Sequence, residues 1–317
     1  MLKNGRLINP EARIETTNKC NSHCIMCPRE KMTRPLTTMG DAFFTNLVDQ
    51  TVALGASIIS TFGYGEPLLD PTLSEKILYC SGKGLDTYLT TNATLLDEEW
   101  SANLIYAGLK NIRFSLHATT PENYEKVHGK PWLPTVSNFH RFCNMNDQHG
   151  HPCKIHISTI PMNGESVEDV RNTWEKHTDY LEVWRPHNWA GGRRYRSSLR
   201  RKTTCGRPFN GPVQIQADGT VIPCCFLTNS EIVLGNCHDN RLVDILNDAP
   251  YAFLRAQHST GILDGLPCAT CDQLNCEDES PLIYSNRDPS MATGLTSTAK
   301  INVSKGEDQN DLYRKQI

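Results

Sequence analysis

Six short runs rich in β-branched and aromatic residues recur along the first 185 positions, at 12–17 (ARIETT), 57–62 (SIISTF), 86–91 (DTYLTT), 111–116 (NIRFSL), 154–160 (KIHISTI) and 180–185 (YLEVWR). Between them lie longer stretches in which apolar residues return every three or four positions: 39–55, 71–84, 96–108, 120–129 with 135–150, and 166–178. Strands and helices leave these two periods, so the alternation predicts six βα units on a parallel sheet. The punctuation agrees, with Asp97 and Thr120 ahead of acidic first turns and Gly84, Gly108 and Gly150 near helix ends. The predicted fold class is α/β, a partial (β/α)6 barrel of the TIM type, in which the loops after the strands build the active site. The stretch CNSHCIMC, Cys20 to Cys27, follows directly on the first strand.

Near Gly191 the texture turns basic and Gly-rich, then Cys-rich, which predicts a barrel over 1–190, a second small module over 191–276 and a polar tail over 277–317. QIQADGTVIPCC (214–225) reads as a hairpin with Asp218 and Gly219 at its turn. A net charge of -3 argues against the strongly basic surface of a non-specific nucleic-acid binder. With no apolar run of membrane length and no apolar core in the first residues, the expected partners include no membrane and the expected location is the cytoplasm.

Thirteen cysteines change the picture, because disulfides are seldom kept in that compartment and such a number points to metal ligation or redox chemistry. Cys80, Cys143 and Cys153 fall singly inside apolar stretches and read as packing residues. Cys20, Cys24 and Cys27 crowd together with no fourth cysteine nearby. Three thiolates can hold three irons of a [4Fe-4S] cubane and leave the fourth iron to a ligand that is not protein. The alternative is zinc, whose structural sites are closed and four-coordinate; His23 is the nearest candidate but lies between the cysteines.

The spacing Cys20-x3-Cys24-x2-Cys27 after a first strand resembles the radical S-adenosylmethionine (radical SAM) superfamily. Gly63-Tyr64-Gly65-Glu66-Pro67, at the end of the second strand, looks like the glycine-rich motif with which that family meets the methionine end of SAM, with Tyr64 as a departure. Met26 is a second departure, where the family commonly has an aromatic residue against adenine. Thr90, Thr91 and Asn92 at the end of strand three, and Ser115 and His117 at the end of strand four, resemble positions that meet the SAM carboxylate and ribose. In the last third, Cys205, Cys224 after Asp218-Gly219, Leu234-Gly235-Asn236 and Cys268-x2-Cys271 resemble the SPASM or shortened twitch domain, although a hairpin with such a pair also suits zinc. The resemblance implies one auxiliary [4Fe-4S] cluster on Cys205, Cys224, Cys268 and Cys271. It leaves Cys225, Cys237 and Cys276 as packing thiols, with Cys237 or Cys276 as the alternative extra ligand or hydrogen-atom donor.

What the resemblance implies for function is reductive cleavage of SAM to a 5′-deoxyadenosyl radical, abstraction of a substrate hydrogen and oxidation of the substrate radical through the auxiliary cluster, with flavodoxin or ferredoxin as reductant. Arg185 and His187, just after strand six, are the candidate base or substrate-binding residues, while His156 reads as core. The run 191–202, dense in arginine, reads as a solvated linker or as a clamp for a phosphate-bearing substrate. A sugar, cyclitol or other small molecule is the first expected substrate, since 19 residues before Cys20 leave no space for a leader-binding domain. The other readings are a peptide-modifying enzyme, a methylating enzyme and a zinc-binding interaction protein.

Overall fold

The computed structural model of the chain describes residues 1–275 and 281–287. A short hairpin of β1 (Leu2–Lys3) and β2 (Arg6–Leu7) precedes six strands, β3 (Glu11–Ile14), β4 (Ile58–Thr61), β5 (Asp86–Thr91), β6 (Asn111–Ser115), β7 (Lys154–Thr159) and β8 (Tyr180–Trp184). They pair in parallel in chain order, the ladder a barrel of βα units requires. The connecting helices are α1 (Asp41–Ala53), α2 (Leu73–Gly82), α3 (Glu98–Tyr106), α4 (Pro121–His128), α5 (Trp132–Gln148) and α6 (Val167–Trp174). Asp97, Thr120 and Ser166 cap α3, α4 and α6 by accepting main-chain N–H groups, which is why those helices start where they do. Among the described residues no helix is long and apolar enough to cross a membrane.

The last third does not stand apart from this barrel. After α7 (Arg207–Asn210), strand β9 (Val213–Ile215) lies parallel to β3, and β10 (Thr220–Ile222) and β11 (Gly235–Asn236) continue the same sheet antiparallel. The expected hairpin is present, and it extends the barrel sheet. Its apolar side chains join those of the first βα unit: Ala12, Ile14, Phe44 and Leu47 pack in one core with Val213, Ile215, Val221 and residues of α8 (Leu242–Asn247) and α9 (Ala249–Thr260). Cys237 is buried in that core, packed among apolar side chains. A second core lies under α3, α5 and α6, where Phe139, Phe142 and Trp174 cover Phe114, Ile157 and Leu181, with Cys153 buried among them.

The polar tail expected over 277–317 orders in part against the body. Its described part forms strand β12 (Leu282–Ser285), antiparallel to β8, because the apolar pair Leu282 and Ile283 is buried there against the edge of the sheet. Cys276 lies outside the described residues.

One surface contact gives this fold a pH dependence. His151, at the turn into β7, sits with Nδ1 2.7 Å from Asp147 and Nε2 2.8 Å from Asp179. Asp147 first, then Asp179, raises its pKa above the ordinary histidine value. Because the folded value is the higher one, the stabilisation is complete below the unfolded value near ~6.5 and is lost as pH rises through the folded value. His151→Asn, which tolerates the φ of 57° at this position, is expected to lower stability by about 0.2–1 kcal/mol in mild acid. Thermal unfolding should show that difference shrinking as the pH is raised into the alkaline range; a gap that grows instead would contradict the assignment.

Candidate functional site

The Cys20–Cys27 segment leaves the end of β3 as an irregular loop, and its shape is set by bonds to neighbouring elements. The N–H of Ile25 donates to the Val127 carbonyl at 3.0 Å and that of His23 to the His128 carbonyl at 3.4 Å, so the last turn of α4 carries the loop. Asn92, at the end of β5, reaches Asn21 and Ser22 through its side-chain amide at 3.0 and 3.1 Å. Burial pushes the Cys27 thiol up to about 11, and burial followed by Cys27 and Cys20 pushes Cys24 higher still. Three thiolates in so dry a wall need a compensating cation, which is what irons would supply. Among the described residues no three Cys, His, Asp or Glu side chains gather on one point as a single ion needs; a cubane takes its thiolates at separate irons.

The second strand's GYGEP loop is fastened from below by a residue that the sequence reading did not single out. Glu15, which follows β3, accepts both terminal nitrogens of Arg34 at 2.9 and 3.2 Å, the Tyr64 N–H at 2.7 Å and the Ala217 N–H at 3.1 Å. A Cβ at Gly63 would collide with the Glu15 carboxylate, and one at Gly65 with the Thr17 carbonyl. Both glycines are therefore needed for the loop to close on the chain's own first strand. Glu66 is buried and accepts from Thr91 Oγ1 at 2.7 Å, the Asn92 N–H at 2.8 Å and the Leu68 N–H at 3.2 Å, while burial raises its pKa to about 7. Its carboxylate thus braces the ends of β4 and β5. A signal for Glu15 was available: Glu11, Arg13 and Glu15 alternate along one strand, the pattern of an inward polar face.

All of these meet at one cavity of about 1030 Å³. Cys20, Cys24 and Cys27 line it, with Gly63, Tyr64, Gly65, Glu66, Thr90, Thr91, Asn92, Ser115 and His117, so the structure brings the expected SAM contacts into one space. His117 accepts the Ile160 N–H on Nδ1 at 3.1 Å, and burial lowers its pKa to about 4. The neutral ring therefore keeps its proton on Nε2 as a donor. Thr90, Trp189 and Gln216 line the cavity, and Thr90 Oγ1, Trp189 Nε1 and Gln216 Nε2 are buried donors without a hydrogen bond among the described residues.

The cavity reaches from the first cysteine set to the second. Cys205 and Cys225 line its far part together with Arg207. The Arg207 guanidinium lies within electrostatic reach of Cys225, Cys224, Cys205 and Cys271, and Cys268 within that of both Cys205 and Arg207. A cation amid thiols fits a cluster that carries negative charge on its thiolate ligands. Cys225 therefore does not pack in a core as expected, but stands at the cavity. Burial raises Cys268 and Cys271 to about 12 each. Tyr64 spans the two sets: its hydroxyl donates to the Cys225 carbonyl at 2.7 Å, and its ring lies 6.1 Å from Trp189, which in turn meets Phe226 at 5.3 Å.

Of the two candidate bases, His187 lines the cavity, 5.2 Å from Phe226, with its pKa lowered to about 4 by burial against the opposing charge of Asp272. Arg185 is not among the lining residues; its N–H donates to the Pro281 carbonyl at 2.6 Å, where the chain enters β12. His156 is buried in the sheet, 3.1 Å from Asn111, as expected of a core residue. The basic run 191–202 is fastened at several points, while Arg194 and Arg201 stay exposed. Arg193 bonds the Cys27 carbonyl and Glu30, Tyr195 the Ile25 carbonyl, Ser198 the Cys271 carbonyl and Arg200 Asp264. It ties one cysteine loop to the other.

The Radical SAM superfamily profile matches residues 14–176, and the SPASM profile, described as an iron-sulfur cluster-binding domain, matches residues 205–272. Among curated proteins, the uncharacterized protein MJ0804 of Methanocaldococcus jannaschii is 35% identical over 138 residues, 43% of this chain and 44% of its own. A probable GTP 3′,8-cyclase of Methanothermobacter thermautotrophicus is 34% identical over 127 residues, 40% of this chain and 41% of its own. The chain thus spans under half the length of these relatives. Among solved structures, BtrN in complex with AdoMet and 2-DOIA has a TM-score of 0.59 at 17% identity, covering 95% of this chain and 99% of BtrN. Streptococcus suis SuiB bound to precursor peptide SuiA has a TM-score of 0.66 at 15% identity, covering 84% of this chain and 70% of SuiB.

Glu15→Gln should leave the buried Arg34 without its counter-charge and set an amide N–H against main-chain donors. A loss of about 3–5 kcal/mol in urea unfolding is expected, whereas Lys126→Ala, which breaks the exposed pair with Glu122, should cost under about 0.5 kcal/mol. Equal small losses would mean that Glu15 does not fasten the site.

Proposed function

Since the chain belongs to the radical SAM superfamily, we propose that Cys20, Cys24 and Cys27 hold the SAM-binding [4Fe-4S] cluster, that Cys205, Cys224, Cys268 and Cys271 hold one auxiliary [4Fe-4S] cluster, and that the protein oxidises a polar small molecule bound between them. The observation that carries this reading is the single cavity lined by the first cysteine set at one end and by Cys205 and Arg207 at the other. When bound, the two clusters supply reductive cleavage of SAM, removal of a substrate hydrogen atom and a sink for one further electron.

The chain's own residues would do the rest. Gly63 to Glu66 offer main-chain groups to the methionine end of SAM, and Thr90, Asn92, Ser115 and the Nε2–H of His117 offer polar contacts along its length. Trp189 Nε1 and Gln216 Nε2 are donors for the oxygens of a sugar, cyclitol or related molecule. Going from a carbinol to a carbonyl releases two electrons and two protons; one proton leaves with the abstracted hydrogen atom, and His187, which lines the cavity, is the residue we assign to take the other. Tyr64, Trp189 and Phe226 shield the space from water. The division at 190/191 then separates SAM chemistry from electron acceptance, and flavodoxin or ferredoxin is the donor we assign to the first cluster. The protein's cytoplasmic location is part of this proposal.

A second reading, modification of a peptide, is favoured by the likeness to SuiB with its precursor peptide and to anSMEcpe with AdoMet and a peptide, the latter at a TM-score of 0.58 and 17% identity.

Anaerobically reconstituted protein is expected to carry about eight irons and eight sulfides per chain, counting two cubanes, and to release 5′-deoxyadenosine from SAM with dithionite. Replacing Cys20, Cys24 and Cys27 by Ala should abolish that release and leave about four irons. Replacing the auxiliary four should keep slow release, with about four irons, and end substrate oxidation. Loss of all iron in the first variant would sink the division of ligands.

A further inference from the structure

His128 ends α4, and the sequence offered no reason to single it out. The turn that bears it also gives the carbonyls of Val127 and His128 to the N–H groups of Ile25 and His23. Its side chain makes the third contact with the same loop: Nδ1 lies 3.3 Å from Cys24 Sγ. The other ring nitrogen decides what that contact is. Nε2 stands 3.2 Å from the main-chain N–H of His117, and a main-chain N–H can only donate. Nε2 therefore carries the lone pair, and the ring proton sits on Nδ1, aimed at the sulfur.

The ring has little freedom to turn away. Tyr124, one helical turn earlier, stacks on it with centroids 4.3 Å apart, and His117 lies parallel on the other contact at 5.1 Å and 3°. Thr120 caps the start of α4, and Gly129, at φ 63°, ends it immediately after His128, which fixes the direction of its Cα–Cβ bond. At 1% exposure, His128 meets no competing water.

We propose that His128 is a positioning residue that donates an Nδ1–H···S hydrogen bond to the Cys24 thiolate and thereby raises the reduction potential of the cluster bound there. The inference rests on Cys24 being a ligand, as proposed above. A thiolate passes negative charge to its iron; a donor on the sulfur draws some of it back and so favours the more negative, reduced state. Reduction by an external one-electron donor is the entry to SAM cleavage, so the bond acts on the first step of the reaction.

The test is a dithionite titration of the cluster-loaded protein, following by electron paramagnetic resonance the reduced-cluster signal that changes when SAM is added. His128→Phe keeps a flat ring and removes the donor; His128→Asn puts an amide N–H near the place of Nδ1. With iron content unchanged, H128F should lower the midpoint so that the reduced-to-oxidised ratio at a fixed potential falls about tenfold, ~59 mV for one electron, and H128N should restore it. The signal indifferent to SAM should not move in either variant. An unaltered midpoint in H128F would overturn the proposal. Should H128F fail to hold iron, H128N is compared with His128→Gln, whose amide sits nearer the place of Nε2: a lower midpoint in the glutamine variant supports the bond, and equal midpoints overturn it. Failure of the ligand assignment reads differently, as a Cys24→Ala protein that keeps its SAM-responsive signal.

Discussion

The Glu15 carboxylate, paired with Arg34 inside the sheet, is the constraint on which the arrangement of the site depends. A buried ion pair is stable only when its remaining lone pairs are also satisfied, and here the donors that satisfy them come from three separate stretches of chain. Arg34 lies beyond the first cysteine loop, Tyr64 in the glycine-rich loop and Ala217 in the turn between β9 and β10. Moving any one of them would leave charge or a donor uncompensated in a low-dielectric interior. The geometry between SAM motif and auxiliary module is thereby held by one side chain just beyond β3.

Around that anchor, backbone and core act in the same sense. Because β9 adds to β3 and the apolar faces of α1, α8 and α9 share a core, the two cysteine sets belong to one continuous framework. The strap from Arg193 to Arg200 reinforces it on the outside, crossing from the Cys27 carbonyl to Cys271 and Asp264. If the two cysteine sets hold clusters as proposed, such a framework would keep their separation and orientation fixed from one turnover to the next.

Much of the barrel was legible in the chain, because period-two and period-3.6 patterns are local. The strand at 86–91 coincides with its expected bounds, and the others lie within a residue or a few. The first strand stops early, at Ile14, because Thr16 and Thr17 turn to bond Met39 and Thr38 instead of the next strand. The cysteines of the first set and the strand-end residues were readable for the same reason, as motifs of fixed spacing. What escaped was decided by contacts distant in sequence. Cys237 looks like a spare thiol until the core of α8 closes over it, and Cys225 looks like packing until the cavity reaches it. β12 is hidden in polar surroundings and needs the open edge of β8 to become a strand. His128 acquires its meaning only from the two atoms that face its two nitrogens.

The strands that flank the parallel sheet have a consequence for how the protein is made. Both sides of the six-stranded ladder are covered by segments of the last third: β9 beside β3 and β12 beside β8. On a ribosome, every barrel strand emerges before either of its edges can be closed. Until residues 213–215 and 282–285 arrive, the nascent sheet presents two rows of unpaired amides that invite strands of other chains. Yield in a cell is thereby tied to how fast translation passes from β8 to β12, and stalling in the Cys-rich third would expose the chain to aggregation at its most vulnerable stage.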